Sequence, residues 1–182
     1  MAELAVASLS GGLGSCVTAA IAKAEGCELA LLHVDYGQLT EARERKAFEE
    51  IADFYRVPSE RRLRIPLAGL KLIGGSALTD VSVPLPEGDL ARQGIPLSYV
   101  PFRNAHLLAT AVSWAEVIGA RRVYVGFVEE DSSGYPDCRE AFLRAFEQAV
   151  DLGTRPETKL ALRAPLIHLK KSEIVRRGLA LH

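Results

Sequence analysis

A glycine- and serine-rich loop is the first part of the sequence with the makings of a chemical site. It joins an apolar run to an alanine-rich segment and, apart from Leu13, it contains Leu9, Ser10, Gly11, Gly12, Gly14 and Ser15. Its glycines let the backbone turn sharply and approach a ligand closely, and the N–H groups that open the next helix attract anions. The loop therefore predicts a phosphate-binding site, to which Ser10 and Ser15 add hydroxyl donors. The alternative is a tight strand-to-helix turn that binds nothing, since glycine-rich turns are common.

Polar residues also stand where other patterned segments begin or end. Asp35 and Tyr36 follow the second apolar run, Arg103 lies at the start of a helical pattern, and Lys171 opens the last helical pattern. A guanidinium or ammonium group neutralises the charge of a phosphate or of a leaving group. Arg103 and Lys171 are therefore candidate catalytic residues, and the alternative for each is a solvated surface side chain.

A third candidate group lies in the run S-G-Y-P-D-C-R at residues 133–139 and just before it, at Asp131. The Tyr135 ring can stack on a planar heterocycle, and the carboxylates of Asp131 and Asp137 can accept hydrogen bonds from its N–H groups. Arg139 can hold a carboxylate through two parallel hydrogen bonds. Asp137, with an acidic residue three positions later, also matches a capping box for the next helix, and both roles can hold at once.

Short apolar runs alternate with helical patterns along the chain. Strands are predicted at 4–9, 29–34, 63–67, 122–127 and 160–164, and helices at 15–24, 40–55, 104–118, 137–152 and from 172. Asn104 is the predicted cap of the third helix. This alternation indicates an α/β fold, a parallel five-stranded sheet with helices on both faces. Ligands of such sheets bind at the carboxyl ends of the strands, where the candidate residues stand.

Length and composition narrow the class of protein. With 182 residues, one domain is expected, and the glycine- and proline-rich stretch at 68–98 predicts a flexible loop within it. The sequence shows neither a long apolar span nor a signal peptide. Three cysteines without C-x-x-C spacing predict reduced thiols in a cytoplasmic protein, and the four histidines show no metal-binding spacing. The balance of 22 basic and 23 acidic residues argues against a nucleic-acid partner.

The motifs, taken together, resemble a known family. The glycine loop resembles the S-G-G-x-D-S loop of the PP-loop, or N-type ATP pyrophosphatase, superfamily. The order of the segments D-Y-G-Q at 35–38, V-P-F-R-N at 100–104, S-G-Y-P-D-C-R, L-G-T at 152–154 and P-L-I at 165–167 is similar to that of the 7-cyano-7-deazaguanine synthases of queuosine biosynthesis. The resemblance extends through essentially the whole chain.

The resemblance implies a Rossmann-like, adenine nucleotide alpha hydrolase-like sheet of strand order 3-2-1-4-5, and a ligase. Its substrates are expected to be 7-carboxy-7-deazaguanine and ammonia, and its cofactors ATP and Mg²⁺. ATP is expected on the residues of the glycine loop with Asp35 and Tyr36, and the deazaguanine on Asp131, Tyr135, Asp137 and Arg139. Lys171 and Arg103 are expected to stabilise charge during the reaction. No membrane partner is expected, and a homodimer is one alternative for the assembly.

The sequence departs from the family pattern in three ways. Gly14 replaces the acidic residue of the loop, which predicts weakened Mg²⁺ binding because glycine has no side-chain ligand. Phe102 stands where the family usually has glycine and is predicted to narrow the site. The family's structural zinc site needs a cysteine cluster that the three cysteines of this chain do not supply. These departures leave an alternative function open, a nucleotide- or deazapurine-binding paralogue without ligase turnover.

Overall fold

The computed structural model describes residues 2–80, 95–129 and 134–181. Its centre is a parallel sheet in the order β3-β2-β1-β4-β5. The strands are β1 Leu4–Ser8, β2 Glu28–Asp35, β3 Arg62–Pro66, β4 Arg122–Tyr124 and β5 Ala161–Arg163. Both the predicted fold class and the predicted strand order are confirmed.

Helices cover both faces of this sheet. They are α1 Leu13–Ala24, α2 Glu41–Phe54, α3 Gly69–Ile73, α4 Arg103–Ile118, α5 Glu140–Gly153 and α6 Lys171–Leu181, with single 3₁₀ turns at Ser59–Arg61 and Pro136–Cys138. Helices α1 and α2 pack on one face of the sheet, and α4 and α5 on the other. Helix α6 packs against α1. The central strand β1 is therefore buried on both sides, and Ala5, Val6 and Ala7 are fully inaccessible to solvent.

The fourth strand is shorter than the prediction of 122–127. Strand β4 ends at Tyr124, yet Val125 and Phe127 remain buried in the core between the sheet and α4. An apolar run indicates that residues are buried but not that they pair as a strand, so the sequence could not show where the strand pairing of β4 ends. The chain that leaves the ladder here forms one wall of the cavity described below.

Two predicted helix caps are wrong. Helix α4 begins at Arg103 after Phe102, so Asn104 lies inside the first turn and does not cap it. Helix α5 begins at Glu140 after Arg139, and Asp137 lies in the preceding 3₁₀ turn. The reason is tertiary, because the two supposed caps bond to each other across 33 residues of sequence.

The predicted loop at 68–98 is described in part. Helix α3 occupies its beginning, and the Ala77 N–H donates a hydrogen bond to the Leu97 carbonyl at 2.8 Å. This bond joins the two described ends of the segment. Residues 81–94 lie outside the described residues.

Candidate active site

A cavity of about 530 Å³ opens at the carboxyl ends of β1 and β4. In the strand order of this sheet, the chain connections change direction between these two strands, which is where ligands of doubly wound sheets bind. Seven of the predicted site residues line it: Ser10, Gly14, Ser15, Tyr36, Arg103, Tyr135 and Lys171. The glycine loop, the start of α4 and the start of α6 therefore meet at one place.

The glycine loop adopts a conformation that its residue types require. Gly11 has φ +72°, and a Cβ atom there would lie 2.7 Å from the Cβ of Ala47 on α2. Ser15 holds the turn together, since its hydroxyl accepts a hydrogen bond from the Ser10 N–H at 3.2 Å and donates to the Gly12 carbonyl at 3.0 Å. Helix α1 follows directly, and the N–H groups of a first helical turn have no partners within the helix. This end of α1 is suited to an anion.

Gly126 is a glycine whose importance the sequence did not show. A Cβ atom at this position would lie 2.9 Å from both the Gly14 carbonyl carbon and the Ser15 nitrogen. The segment after β4 therefore passes in direct contact with the beginning of α1, and only glycine leaves room for it. Gly126 stands within the apolar run at 122–127 that was predicted as a strand, so nothing in the sequence marked this contact.

Arg103 is held between two tyrosines. Its Nη1 donates to the Tyr36 hydroxyl at 3.0 Å, and its guanidinium carbon lies 5.2 Å from the centre of the Tyr36 ring and 6.0 Å from that of Tyr135. Burial raises the pKa of Tyr36, and the nearby Arg103 charge only partly opposes that effect. Tyr36 is therefore a neutral phenol at physiological pH, and the positive charge of Arg103 is not cancelled by it.

Asp137 and Asn104 form a buried polar pair below Arg103. The two carboxylate oxygens of Asp137 accept hydrogen bonds from the Asn104 backbone N–H at 2.8 Å and from its Nδ2 at 3.2 Å. The Asn104 N–H belongs to the first turn of α4. Asp137 therefore supplies, from a distant segment, the hydrogen-bond acceptor that a local cap residue usually supplies. Asn104 lines the cavity, whereas Asp137 is not among its lining residues.

Cys138 contributes a neutral thiol to the cavity wall. Its sulfur accepts a hydrogen bond from Asn104 Nδ2 at 3.1 Å. Burial, followed by the charge of Asp137, raises the pKa of Cys138 from 9.0 to about 12. The reactive form of cysteine is the thiolate, so this residue is unsuited to nucleophilic catalysis.

The other predicted residues that the structure describes do not line the cavity. Leu9, Gly11 and Gly12 support the glycine loop, and Asp35 bonds to Arg45 of α2. Arg139 precedes α5, and Asp131 lies outside the described residues. Phe102 does not narrow the cavity as predicted, because its half-exposed ring packs at the surface against Phe142 at 5.8 Å and His106 at 6.2 Å.

Glu44 is a second residue that sequence reasoning missed. It lies on α2, lines the cavity, and accepts hydrogen bonds from Gln38 Nε2 at 3.0 Å and from the Thr40 hydroxyl. Its carboxylate is the acidic group among the described residues that line the cavity. Nothing in the sequence separates it from the four other acidic residues of its helix.

Outside the cavity, one further group of potential ligands is present in the described part of the chain. Glu129, Glu140 and His168 place one ligand atom each within 4.8 Å of one another near the surface. The Glu129 carboxylate accepts the Glu140 N–H at 3.3 Å, and His168 and Arg144 both pair with Glu140. These contacts account for the cluster as a helix cap with ion pairs. Across the described ranges, every helix is too short or too polar to cross a membrane.

Comparison with known families decides the relationship. Residues 4–182 match the family described as "Queuosine biosynthesis protein QueC". The chain belongs to the QueC family. A 7-cyano-7-deazaguanine synthase of Chlorobium phaeobacteroides (strain BS1) is 55% identical over 97% of this chain and 77% of its own length. The synthase of Chlorobium limicola is 49% identical over 98% of this chain and 78% of its own length.

Solved structures show that this QueC-family chain shares its fold with more distant proteins. A 4-thiouridine synthetase in complex with RNA and bound ATP aligns with 98% of this chain and 40% of its own, at a TM-score of 0.58 and 18% identity. The U34-tRNA thiolase NcsA of Methanococcus maripaludis aligns with 98% and 58%, at a TM-score of 0.54 and 12% identity. Identities this low show the fold alone.

Proposed function

We propose that this chain is a 7-cyano-7-deazaguanine synthase, which converts 7-carboxy-7-deazaguanine and ammonia to the nitrile with ATP. The observation that carries the proposal is the match to synthases of this name at 49–57% identity over 97% of the chain or more. The cavity supports it, because the glycine loop, Arg103 and Lys171 meet there.

The proposed reaction needs two ATP-driven activations, the first of the substrate carboxylate and the second of the amide formed from it. ATP first converts it to a reactive acyl adenylate or acyl phosphate, and ammonia displaces that group to give the amide. A second ATP-driven activation of the amide oxygen then allows its elimination, which leaves the nitrile. No residue of the chain forms a bond in this scheme, so the protein acts by positioning the reactants and by stabilising charge.

The described residues divide these tasks between two sides of the cavity. The Ser10 and Ser15 hydroxyls and the start of α1 would hold the phosphates of ATP. Across the cavity, the Tyr135 ring would stack on the planar heterocycle, and Arg103, held by the Tyr36 hydroxyl, would be directed at the carboxylate. Lys171, at the start of α6, would neutralise charge that develops on the phosphates.

Mg²⁺ has one protein ligand of suitable chemistry on the described cavity wall. Mg²⁺ is usually held by one or two carboxylates together with phosphate oxygens. Gly14 offers no carboxylate, so Glu44 is the residue that would hold the ion. The ion would lower the charge repulsion between ATP and the substrate carboxylate. The three cysteines are free thiols, which supports a reducing compartment, the cytoplasm, as the place of the reaction.

The test is product formation by the purified protein. Incubation with 7-carboxy-7-deazaguanine, ammonia, ATP and Mg²⁺ is expected to give the nitrile, detected by mass spectrometry, with ATP consumed only when the substrate is present. ATP binding by calorimetry without substrate-dependent ATP consumption would contradict the proposal and favour a nucleotide-binding paralogue.

Two neighbouring lysines supply a matched pair of variants for this assay. Lys171 lines the cavity and Lys170 does not. Lys171→Gln is expected to lower kcat on the order of a hundredfold, as loss of one transition-state donor does in other enzymes, and Lys170→Gln is expected to leave it unchanged. Equal effects of the two substitutions would remove Lys171 from the proposed site.

A further inference from the structure

A buried chain of hydrogen bonds runs beneath the glycine loop. His33 Nδ1 lies 2.7 Å from the Leu9 carbonyl oxygen, and its Nε2 lies 3.1 Å from Asp35 Oδ1. Asp35 Oδ2 accepts from Arg45 Nε at 2.9 Å and from its Nη2 at 2.8 Å. His33 is 1% exposed and Asp35 7%, so protein groups and not solvent supply the hydrogen-bond partners of these two side chains.

The number of protons on the His33 ring follows from the partners of its two nitrogens. A carbonyl oxygen only accepts hydrogen bonds, so Nδ1 of His33 must carry a hydrogen. An ionised carboxylate also only accepts, so Nε2 must carry one as well, whereas a neutral imidazole has a single N–H. The Arg45 guanidinium of α2 likewise only donates hydrogen bonds, and it forms an ion pair with Asp35. We propose that His33 is a buried imidazolium, and that it positions the glycine loop for ATP.

The Leu9 carbonyl is the link between His33 and the cavity. Leu9 follows the last residue of β1, and its N–H still donates to the Leu32 carbonyl at 2.8 Å. Because the peptide group is planar and trans, the direction of the Leu9 carbonyl fixes that of the Ser10 N–H. That N–H donates to the Ser15 hydroxyl. Ser10 and Ser15, which both line the cavity, are therefore oriented through a peptide group that His33 holds.

The His33–Asp35 pair also joins the glycine loop to the end of β2. Asp35 is the last residue of β2, and Tyr36, which follows it, lines the cavity and binds Arg103. The imidazolium thus connects the glycine loop to the strand end that carries Tyr36. The Phe48 ring, 5.7 Å from the imidazole ring centre, closes this region on the α2 side.

Nuclear magnetic resonance tests the protonation state directly. The whole chain is labelled with ¹⁵N in its four histidines, and long-range ¹H–¹⁵N spectra are recorded at neutral pH. Both ring nitrogens of His33 are expected to be protonated, and their signals are absent from His33→Asn, which assigns them. A single protonated nitrogen on His33 would overturn the imidazolium.

Calorimetry with ATP tests the positioning role, which rests on the proposed function of the loop. His33→Leu is expected to weaken ATP binding about tenfold, the effect of one lost charge-assisted hydrogen bond. His33→Asn keeps an N–H donor near Leu9 and is expected to restore most of the affinity. His168→Asn, an exposed histidine on another segment, is the control.

The outcomes separate this inference from the proposed function. Wild-type protein that binds no ATP contradicts the proposed function. If the wild-type protein binds ATP, and His33→Leu and His33→Asn bind it as tightly as the wild type does, the positioning role alone is overturned. If His33→Leu does not fold, two other results together overturn the inference. These are an unchanged ATP affinity in His33→Asn and a His33 ring with a single protonated nitrogen.

Discussion

At the scale of single residues, Gly14 has the clearest bearing on catalysis. Gly14 lines the cavity, and a Cβ atom there would lie 3.3 Å from the Gly126 carbonyl oxygen. That contact is tight, so a side chain at this position requires the Gly126 backbone to shift by a few tenths of an ångström. An aspartate at this position would add a second carboxylate to the one that Glu44 provides.

Gly14→Asp is expected to raise Mg²⁺-dependent ATP turnover. The added carboxylate should lower the Mg²⁺ concentration for half-maximal rate on the order of tenfold, the effect of one charged ligand. Gly14→Asn has nearly the same shape without the charge and is the control. Steady-state rates over a Mg²⁺ titration measure the effect, and equal curves for the two variants would show that the loop does not limit metal binding.

Phe102 carries backbone strain. Its φ is +56°, in the left-handed region that glycine adopts freely and that costs other residues roughly 1–2 kcal/mol. Glycine, the residue that the resemblance to the family implies here, would adopt this conformation without that cost. Contacts of the Phe102 ring with Phe142 and His106 partly offset the strain.

Phe102→Gly and Phe102→Ala separate the strain from the ring contacts. Both variants lose the ring, but only glycine relieves the left-handed conformation. The glycine variant is expected to be the more stable of the two by about 1 kcal/mol, after its greater unfolded-state entropy is subtracted. Urea unfolding measures the difference. An alanine variant of equal or greater stability would show that the backbone adjusts when the ring is removed.

At the scale of elements, Asp137 joins the start of α4 to the turn before α5. Removing its carboxylate leaves two buried donors of Asn104 without acceptors. Asp137→Ala is therefore expected to lower the free energy of unfolding by about 1–3 kcal/mol. It is also expected to lower kcat, because Asn104 is the neighbour of Arg103 in the first turn of α4.

A double-mutant cycle isolates this contact. Asp137→Ala and Asn104→Ala are expected to be non-additive by at least 0.5 kcal/mol, the lower range for residues in one network. Asp151→Ala, an exposed aspartate on α5, combined with Asn104→Ala supplies the additive control. Additivity in both cycles would show that α4 begins independently of Asp137.

The same elements show what sequence reasoning can and cannot reach. Apolar runs and the rules of parallel sheets predicted the sheet correctly, because the central strands β1 and β2 are buried over most of their length and so leave a continuous signal. The caps of α4 and α5 were wrong, because Asn104 and Asp137 each match a local capping pattern and local patterns do not report a partner 33 residues away. Strand β4 was predicted to be longer than it is, because residues beyond Tyr124 are buried but do not pair as a strand.

The cavity was predictable where a residue type is unusual in its local setting. Glycines after a strand, and an arginine at the start of a helix, stand out from an ordinary turn. Glu44 does not, because acidic residues are common on exposed helices such as α2. Gly126 becomes visible only when the distance from its backbone to the start of α1 is known.

At the scale of the whole molecule, the charge of the chain bears on whether it binds nucleic acid. It has 22 basic and 23 acidic side chains, which gives a net charge of −1. Several arginines are also paired with carboxylates: Arg45 with Asp35 and Glu41, Arg62 with Glu49 and Asp53, Arg122 with Glu3 and Glu25, and Arg144 with Glu140. These pairs lower the positive potential available to a phosphate backbone.

The chain is therefore expected not to bind tRNA. Affinity for nucleic acid rests on neutralising phosphates with lysine and arginine, and even non-specific binders reach dissociation constants of about 10⁻⁴–10⁻⁶ M at physiological salt. Filter binding with unmodified tRNA over a salt series is expected to give a Kd weaker than about 10⁻⁴ M, with little dependence on salt. A micromolar Kd that weakens steeply with salt would contradict this. It would also favour a macromolecular substrate over a free deazaguanine, since a cavity of about 530 Å³ admits a small molecule but only the flipped base of an RNA.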